Sequence, residues 1–111
     1  MKYQSIAVLA ATIALAAAAP PQTAAPQPGA SVTIANFAYA PATLTIAAGT
    51  TVRFRNDDSD AHTVTADDGM FDSGGLDAHG TYQHTFDQPG TYRYVCAIHP
   101  WMKGTIVVTP R

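Results

Sequence analysis

The sequence has no glutamate, a single cysteine, a single tryptophan and few charges of either sign: six Lys plus Arg against eight Asp in 111 residues, for a formal net charge of −2. Each scarcity excludes something. Cys96 is alone and cannot form an internal disulfide, so the chain lacks the staple that small exported domains often use. No basic surplus exists to follow a phosphate backbone, and no nucleic-acid partner is expected. Long apolar runs are also missing. The longest apolar stretch, Ile6 to Ala19 (IAVLAATIALAAAA), falls short of the roughly 20 residues that cross a bilayer comfortably.

That stretch follows Met1-Lys2, which is the layout of a secretory signal. Residues 1–19 are therefore expected to be a signal peptide, with cleavage somewhere between 19 and 25. Residues 20–30, rich in Pro and Ala and without hydrophobic periodicity, are expected to form a semi-extended tether. The working domain is then 31–111, with five basic side chains against eight Asp. A periplasmic or otherwise exported location follows. Membrane association is expected only if the N-terminal segment stays uncleaved.

What is present after Ala30 is a series of short runs rich in Val, Ile, Thr, Tyr and Phe, punctuated by Gly, Pro, Asn and Asp. Such runs are strands. Ser31–Phe37 alternates with Val32 and Ile34 on one face; Thr43–Ile46, Thr51–Arg55, Thr81–Phe86, Thr91–Cys96 and Gly104–Thr109 behave similarly, and a short strand is expected at Thr63–Thr65. Six or seven strands without an amphipathic helix predict an all-β fold, a Greek-key β-sandwich or small barrel.

The chemistry is concentrated in YVCAIHPWMKG, where Cys96, His99 and Met102 recur at every third position. A helix can carry that spacing, but Pro100 would break it, so the three residues are placed on a loop between two strands. A thiolate, an imidazole and a thioether gathered there select a soft, polarisable cation. His62, at a strand edge upstream, is the natural fourth donor. Two His and one Cys with a weak axial Met describe a blue-copper electron-transfer site. Zinc suits this set less well, because a structural zinc site wants four strong ligands and thioether is not one.

Cys96-x-x-His99-x-x-Met102, with His62 upstream and PGTYRYVC leading into the loop, resembles the cupredoxins, and its two-residue gap between His and Met is similar to the short ligand loop of amicyanins. The likeness runs from Ser31 to Val108 and includes the FDSG segment at Phe71–Gly74 and the terminal GTIVV. It implies a cupredoxin-like sandwich holding one copper ion that alternates between Cu(I) and Cu(II), with His62, Cys96 and His99 as equatorial ligands and Met102 as the axial one. It also implies a monomeric, exported one-electron carrier whose partners are transient redox proteins such as a dehydrogenase, cytochrome or oxidase. One departure stands out: the residue after the first His is commonly Asn in the family, where its amide ties the two ligand-bearing loops, and here it is Thr63. A hydroxyl offers fewer hydrogen-bonding groups than an amide.

No residue looks like a general base, no His-x-His pair occurs, and the chain is too short for the second copper centre of a nitrite reductase or multicopper oxidase; no enzyme activity is expected. An inert buried thiol at Cys96 and a Cys–His nucleophile are weaker readings. The rivals for the whole protein are a periplasmic copper-binding protein that stores or delivers the ion, and a structural module that metal merely stabilises. His79 is expected to be solvated, His84 to be partly buried and hydrogen-bonded, and Met70 to pack. The Asp57, Asp58, Asp60, Asp67 and Asp68 run reads as turn formers on a solvated face able to steer a basic partner, and Tyr92 and Tyr94 as core. Pro100 and Trp101 are expected to flank His99 as an apolar docking surface.

Overall fold

The computed structural model describes residues 30–111. The signal peptide and, apart from Ala30, the tether lie outside the described residues. Among the described residues, eight strands form two four-stranded sheets: β1 (Ala30–Ala35), β2 (Ala38–Ala40), β4 (Thr50–Asn56) and β6 (Thr81–Phe86) in the order β2-β1-β4-β6, and β3 (Thr43–Ala47), β5 (Thr65–Ala66), β7 (Gly90–Val95) and β8 (Lys103–Thr109) in the order β3-β8-β7-β5. The β1–β4 and β3–β8 pairs are parallel and the others antiparallel. Consecutive strands repeatedly change sheet, so the expected Greek-key β-sandwich is what forms.

Alternation drives the packing. Val32 and Ile34 on β1, and Val52 and Phe54 on β4, turn inward to meet Tyr94 on β7 and Ile106 on β8. Such apolar burial stabilises the fold by about 1.5–3 kcal/mol per large side chain. The Tyr94 ring is accommodated by what its strand partner lacks. Tyr94 and Gly104 face each other in the β7–β8 register, and a Cβ at Gly104 would overlap the ring, its Cε2 lying 2.6 Å from that position.

Two short elements differ from expectation. Ser31–Phe37 does not run on as one strand: Asn36 and Phe37 adopt left-handed backbone angles (φ 53° and 58°) and turn the chain back into β2. Positive φ at both central residues suits the twist of a tight hairpin, and the cost to a non-glycine residue, about 1–2 kcal/mol, is offset by hydrogen bonds from both amides to the Asp58 carboxylate (2.7 and 2.9 Å). The short strand is Thr65–Ala66 rather than Thr63–Thr65, because His62 instead makes an isolated bridge to Leu76.

The pairing registers decide where chemistry is placed. Ile34 lies opposite Asn56, and Val95 opposite Lys103. The β1–β2 turn, the segment after β4 and the loop joining β7 to β8 therefore converge at one end of the sandwich.

Candidate metal centre

His62 is held by its backbone, which exchanges hydrogen bonds with Leu76 (3.1 and 2.7 Å). Cys96 follows β7 directly, and the loop after it is closed by backbone bonds from the Cys96 amide to Met102, the His99 amide to Cys96, and the Met102 amide to His99 (3.2, 3.2 and 2.9 Å). His62, Cys96 and Met102 are buried, and His99 is half-buried. The donor atoms of His62, Cys96 and His99 all lie within 4.8 Å of one another. Met102, also buried, closes the same loop through its backbone.

The donor triangle can be tested against a metal. His62 Nδ1 and His99 Nδ1 face each other at 3.1 Å, and Cys96 Sγ lies 3.5 Å from His99 Nδ1 and 3.9 Å from His62 Nδ1. A circle through atoms with these separations has a radius of about 2.0 Å, so one in-plane point is near the usual bond lengths to imidazole nitrogen and thiolate sulfur, about 2.0–2.3 Å. Two lone pairs aimed at each other over so short a gap repel unless a proton or cation sits between them. The protein makes His62 ready for the cation: Nε2 bonds Asp58 Oδ2 at 2.8 Å, which fixes the ring proton on Nε2 and leaves Nδ1 as a lone pair.

The thiol is also prepared. Burial works against the charged form of Cys96, but a hydrogen bond from the Thr63 amide, the adjacent His62 ring, the Ile98 amide and the adjacent His99 ring outweigh it and bring its pKa from 9.0 to about 6. Thiolate is therefore the predominant form at neutral pH, and thiolate is the metal-binding form. A soft sulfur with two imidazoles and a buried thioether fits copper, the cofactor of cupredoxins.

Thr63 does what its position requires by other means. Its amide donates to Cys96 Sγ (3.3 Å), its hydroxyl accepts from the Ala97 amide (2.8 Å), and its carbonyl accepts from the Tyr39 hydroxyl. A single residue thus ties the His62 segment to the Cys96 loop. Burial, with Cys96 and Tyr94 adding to it, pushes the Tyr39 phenol well above its ordinary range, so it stays a donor.

Three contributors escape a reading of the sequence. Asp58 is not simply a solvated turn former: its carboxylate accepts from Asn36, Phe37 and His62 together, and the Phe37 amide, opposed by partial burial and helped by Asn36 and His62, holds it below the usual carboxylate range. Phe37 places its ring edge-on to both His62 and His99, with centroids 5.1 Å away in each case. Asn56, fully buried, donates to the carbonyls of Asp60 and Leu76 and accepts from the Asp58 amide, each at 2.9 Å. The one available signal was the spacing of Asp58 four residues before His62.

The residues left outside the site stay outside it. His79 is exposed, with Nδ1 3.3 Å from Arg55. His84 is half-buried, but its contacts are aromatic rather than the expected hydrogen bond: Phe71 and Phe86 lie at 4.8 and 4.7 Å. Met70 does not pack in the core; it is 56% exposed beside a surface groove that Phe86 and Tyr92 also line.

Comparison with known proteins agrees with this geometry. The cupredoxin-like domain family matches residues 5–108. Amicyanin-alpha of Methylorubrum extorquens is 34% identical over 110 residues, spanning 94% of this chain and 92% of that protein. Among solved structures, a purple cupredoxin from Nitrosopumilus maritimus superposes with a TM-score of 0.68 at 32% identity, covering 73% of this chain and all of that one (100%). The Cu(I) form of an amicyanin variant superposes with a TM-score of 0.71 at 29% identity, covering 77% of this chain and 86% of that one. This chain belongs to the cupredoxin-like domain family, as an amicyanin-like member.

Proposed function

We propose that His62, Cys96 and His99 are the equatorial ligands and Met102 the axial ligand of one type 1 copper ion, and that the protein is an exported single-electron carrier. The carrying observation is the convergence of two imidazole nitrogens and a thiolate on one point inside a braced, largely buried end of the sandwich. Copper, when bound there, supplies a one-electron Cu(I)/Cu(II) couple. The chain's own residues hold that geometry still. Asp58 and the Leu76 bridge fix His62, Thr63 joins the two segments, and the backbone bonds of the Cys96–Met102 loop limit what the sulfur and His99 can do. Little rearrangement between oxidation states means little energy lost per transfer.

His99 is the ligand nearest solvent. Around it stand Trp101 (67% exposed), Ile98 (52%) and Phe37 (39%), with Pro100 between them in the chain. The Trp101 ring lies 5.2 Å from that of His99. An apolar patch of this kind suits the small, weak contacts of transient redox encounters. Its partner is a redox protein such as a dehydrogenase, cytochrome or oxidase, met by the protein as a monomer and without a chemical reaction of its own. Residues 31–111 form the working domain, and the leader-like run at Ile6–Ala19 supports export.

Trp101→Ser tests the docking surface. Loss of a large interface aromatic commonly costs about 2 kcal/mol, so the bimolecular electron-exchange rate with the physiological partner should fall by about tenfold or more, while the copper absorption stays in place. An unchanged rate removes Trp101 from the encounter.

A further inference from the structure

We propose that two threonine hydroxyls connect the surface carboxylate of Asp72 to the peptide amide that follows Cys96, making Thr63, Thr65 and Asp72 positioning residues for the metal loop. The inference rests on the ligand assignment proposed above. The Ala97 amide lies 2.8 Å from Thr63 Oγ1, Thr63 Oγ1 lies 2.8 Å from Thr65 Oγ1, and Thr65 Oγ1 lies 3.1 Å from Asp72 Oδ1.

The direction of every proton is forced. An amide only donates, so Thr63 Oγ1 accepts from Ala97. A carboxylate only accepts, so Thr65 spends its single hydroxyl proton on Asp72 and must accept from Thr63. All three protons thus point away from the metal loop and toward the charge. Hydrogen bonds aligned head to tail polarise one another, each strengthening the next.

Backbone structure holds the chain of hydroxyls in place. Thr65 pairs with Val95, one residue before Cys96, on one side and forms a bridge with Asp72 on the other. The Gly74 amide donates to the same Asp72 oxygen at 2.9 Å, which fixes the carboxylate, and the Thr63 amide and carbonyl are both engaged within the site. Thr63 is buried, Thr65 half-buried and Asp72 exposed, so a solvent-facing charge acts on the Ala97 amide through only two side chains. An Asn at position 63 would tie the two loops through its amide; threonine, with one hydroxyl, has to pass its proton onward, and Thr65 and Asp72 are what receive it.

The test is a double-mutant cycle on the full chain, read first by hydrogen exchange at the Ala97 amide in the copper-free protein. Asp72→Asn and Thr65→Val should each accelerate that exchange by about two- to tenfold, the lower part of the range shown by coupled neighbours, while Thr65→Ser, which keeps the hydroxyl, should retain the slow rate. In the Thr65→Val background, Asp72→Asn should add nothing. The second readout is the midpoint potential of the copper-loaded protein. It should move upward in Asp72→Asn, because loss of a negative charge disfavours Cu(II) relative to Cu(I), and that shift should vanish when Thr65 is Val. Equal Asp72→Asn effects in both backgrounds indicate charge acting through space and overturn the proposal, as does an Ala97 exchange rate that neither substitution alters. The exchange measurement needs no metal, so its failure is distinguishable from failure of the ligand assignment, which would appear as a missing thiolate–copper band in the unsubstituted protein.

Discussion

Cys96→Ser is expected to abolish the intense absorption near the red end of the visible spectrum that the copper-loaded protein should show. That absorption is charge transfer from a thiolate to Cu(II), and an alcohol oxygen supplies no comparable soft donor. Serine is close in size to cysteine and can still accept from the Thr63 amide, which lies 3.3 Å from Sγ, so the substitution removes the sulfur while sparing the scaffold. Copper affinity should fall by more than the about 10–100-fold that follows loss of an outer hydrogen-bond partner, because a direct ligand is lost. Spectral titration with copper and thermal unfolding of the copper-free variant check the two halves of this expectation. A band that persists undiminished removes Cys96 from the metal.

Asn56→Ala is expected to be the most damaging change that touches no donor atom. The Asn56 side chain makes three hydrogen bonds, two given to the carbonyls of Asp60 and Leu76 and one taken from the Asp58 amide. Alanine leaves all three backbone groups without that partner, at about 1–3 kcal/mol for each that stays dry. Water reaches the exposed Asp60 end, so a total of about 3–5 kcal/mol is expected, a large share of the 5–15 kcal/mol that holds a typical domain together. The damage is also local to function, since the same bonds shape the segment from which Asp58 grips His62. Asn56→Asp should be no better: it keeps the acceptor for the Asp58 amide but turns both donations into repulsions between oxygens. Denaturant titration of the copper-free chain reads this as a lower midpoint at an unchanged slope; a loss under about 1 kcal/mol contradicts it.

How far the sequence speaks depends on whether a residue's role is local. The strands are legible because alternation is local: β4 reads buried at every second position from Thr50 to Asn56, and β8 does so from Gly104 to Val108. Cys96, His99 and Met102 are legible for the same reason, as a loop too short to scatter them, and His62 stands out once that loop is seen. Roles assigned by chain convergence are hidden. Asp58 sits in an Asp-rich run that reads as solvated turn, and only the return of Asn36 and Phe37, more than twenty residues upstream, adds two donors to the His62 ring. Phe37 reads as the end of a strand, and β2 is too short and too rich in alanine to declare itself. Thr63 reads as a departure from the family's Asn. The structure shows that departure compensated, with one hydroxyl tying the loops and a neighbouring hydroxyl completing its bonding.

The account depends most on sulfur and two imidazoles meeting at a single copper ion. X-ray absorption at the copper edge of the loaded full-length chain tests this directly. The expected result is one sulfur and two imidazole nitrogens as the strong neighbours of each copper, all near the roughly 2 Å that the separations among the His62, Cys96 and His99 donor atoms allow. A copper shell of nitrogen and oxygen alone, with no short sulfur, would contradict the account.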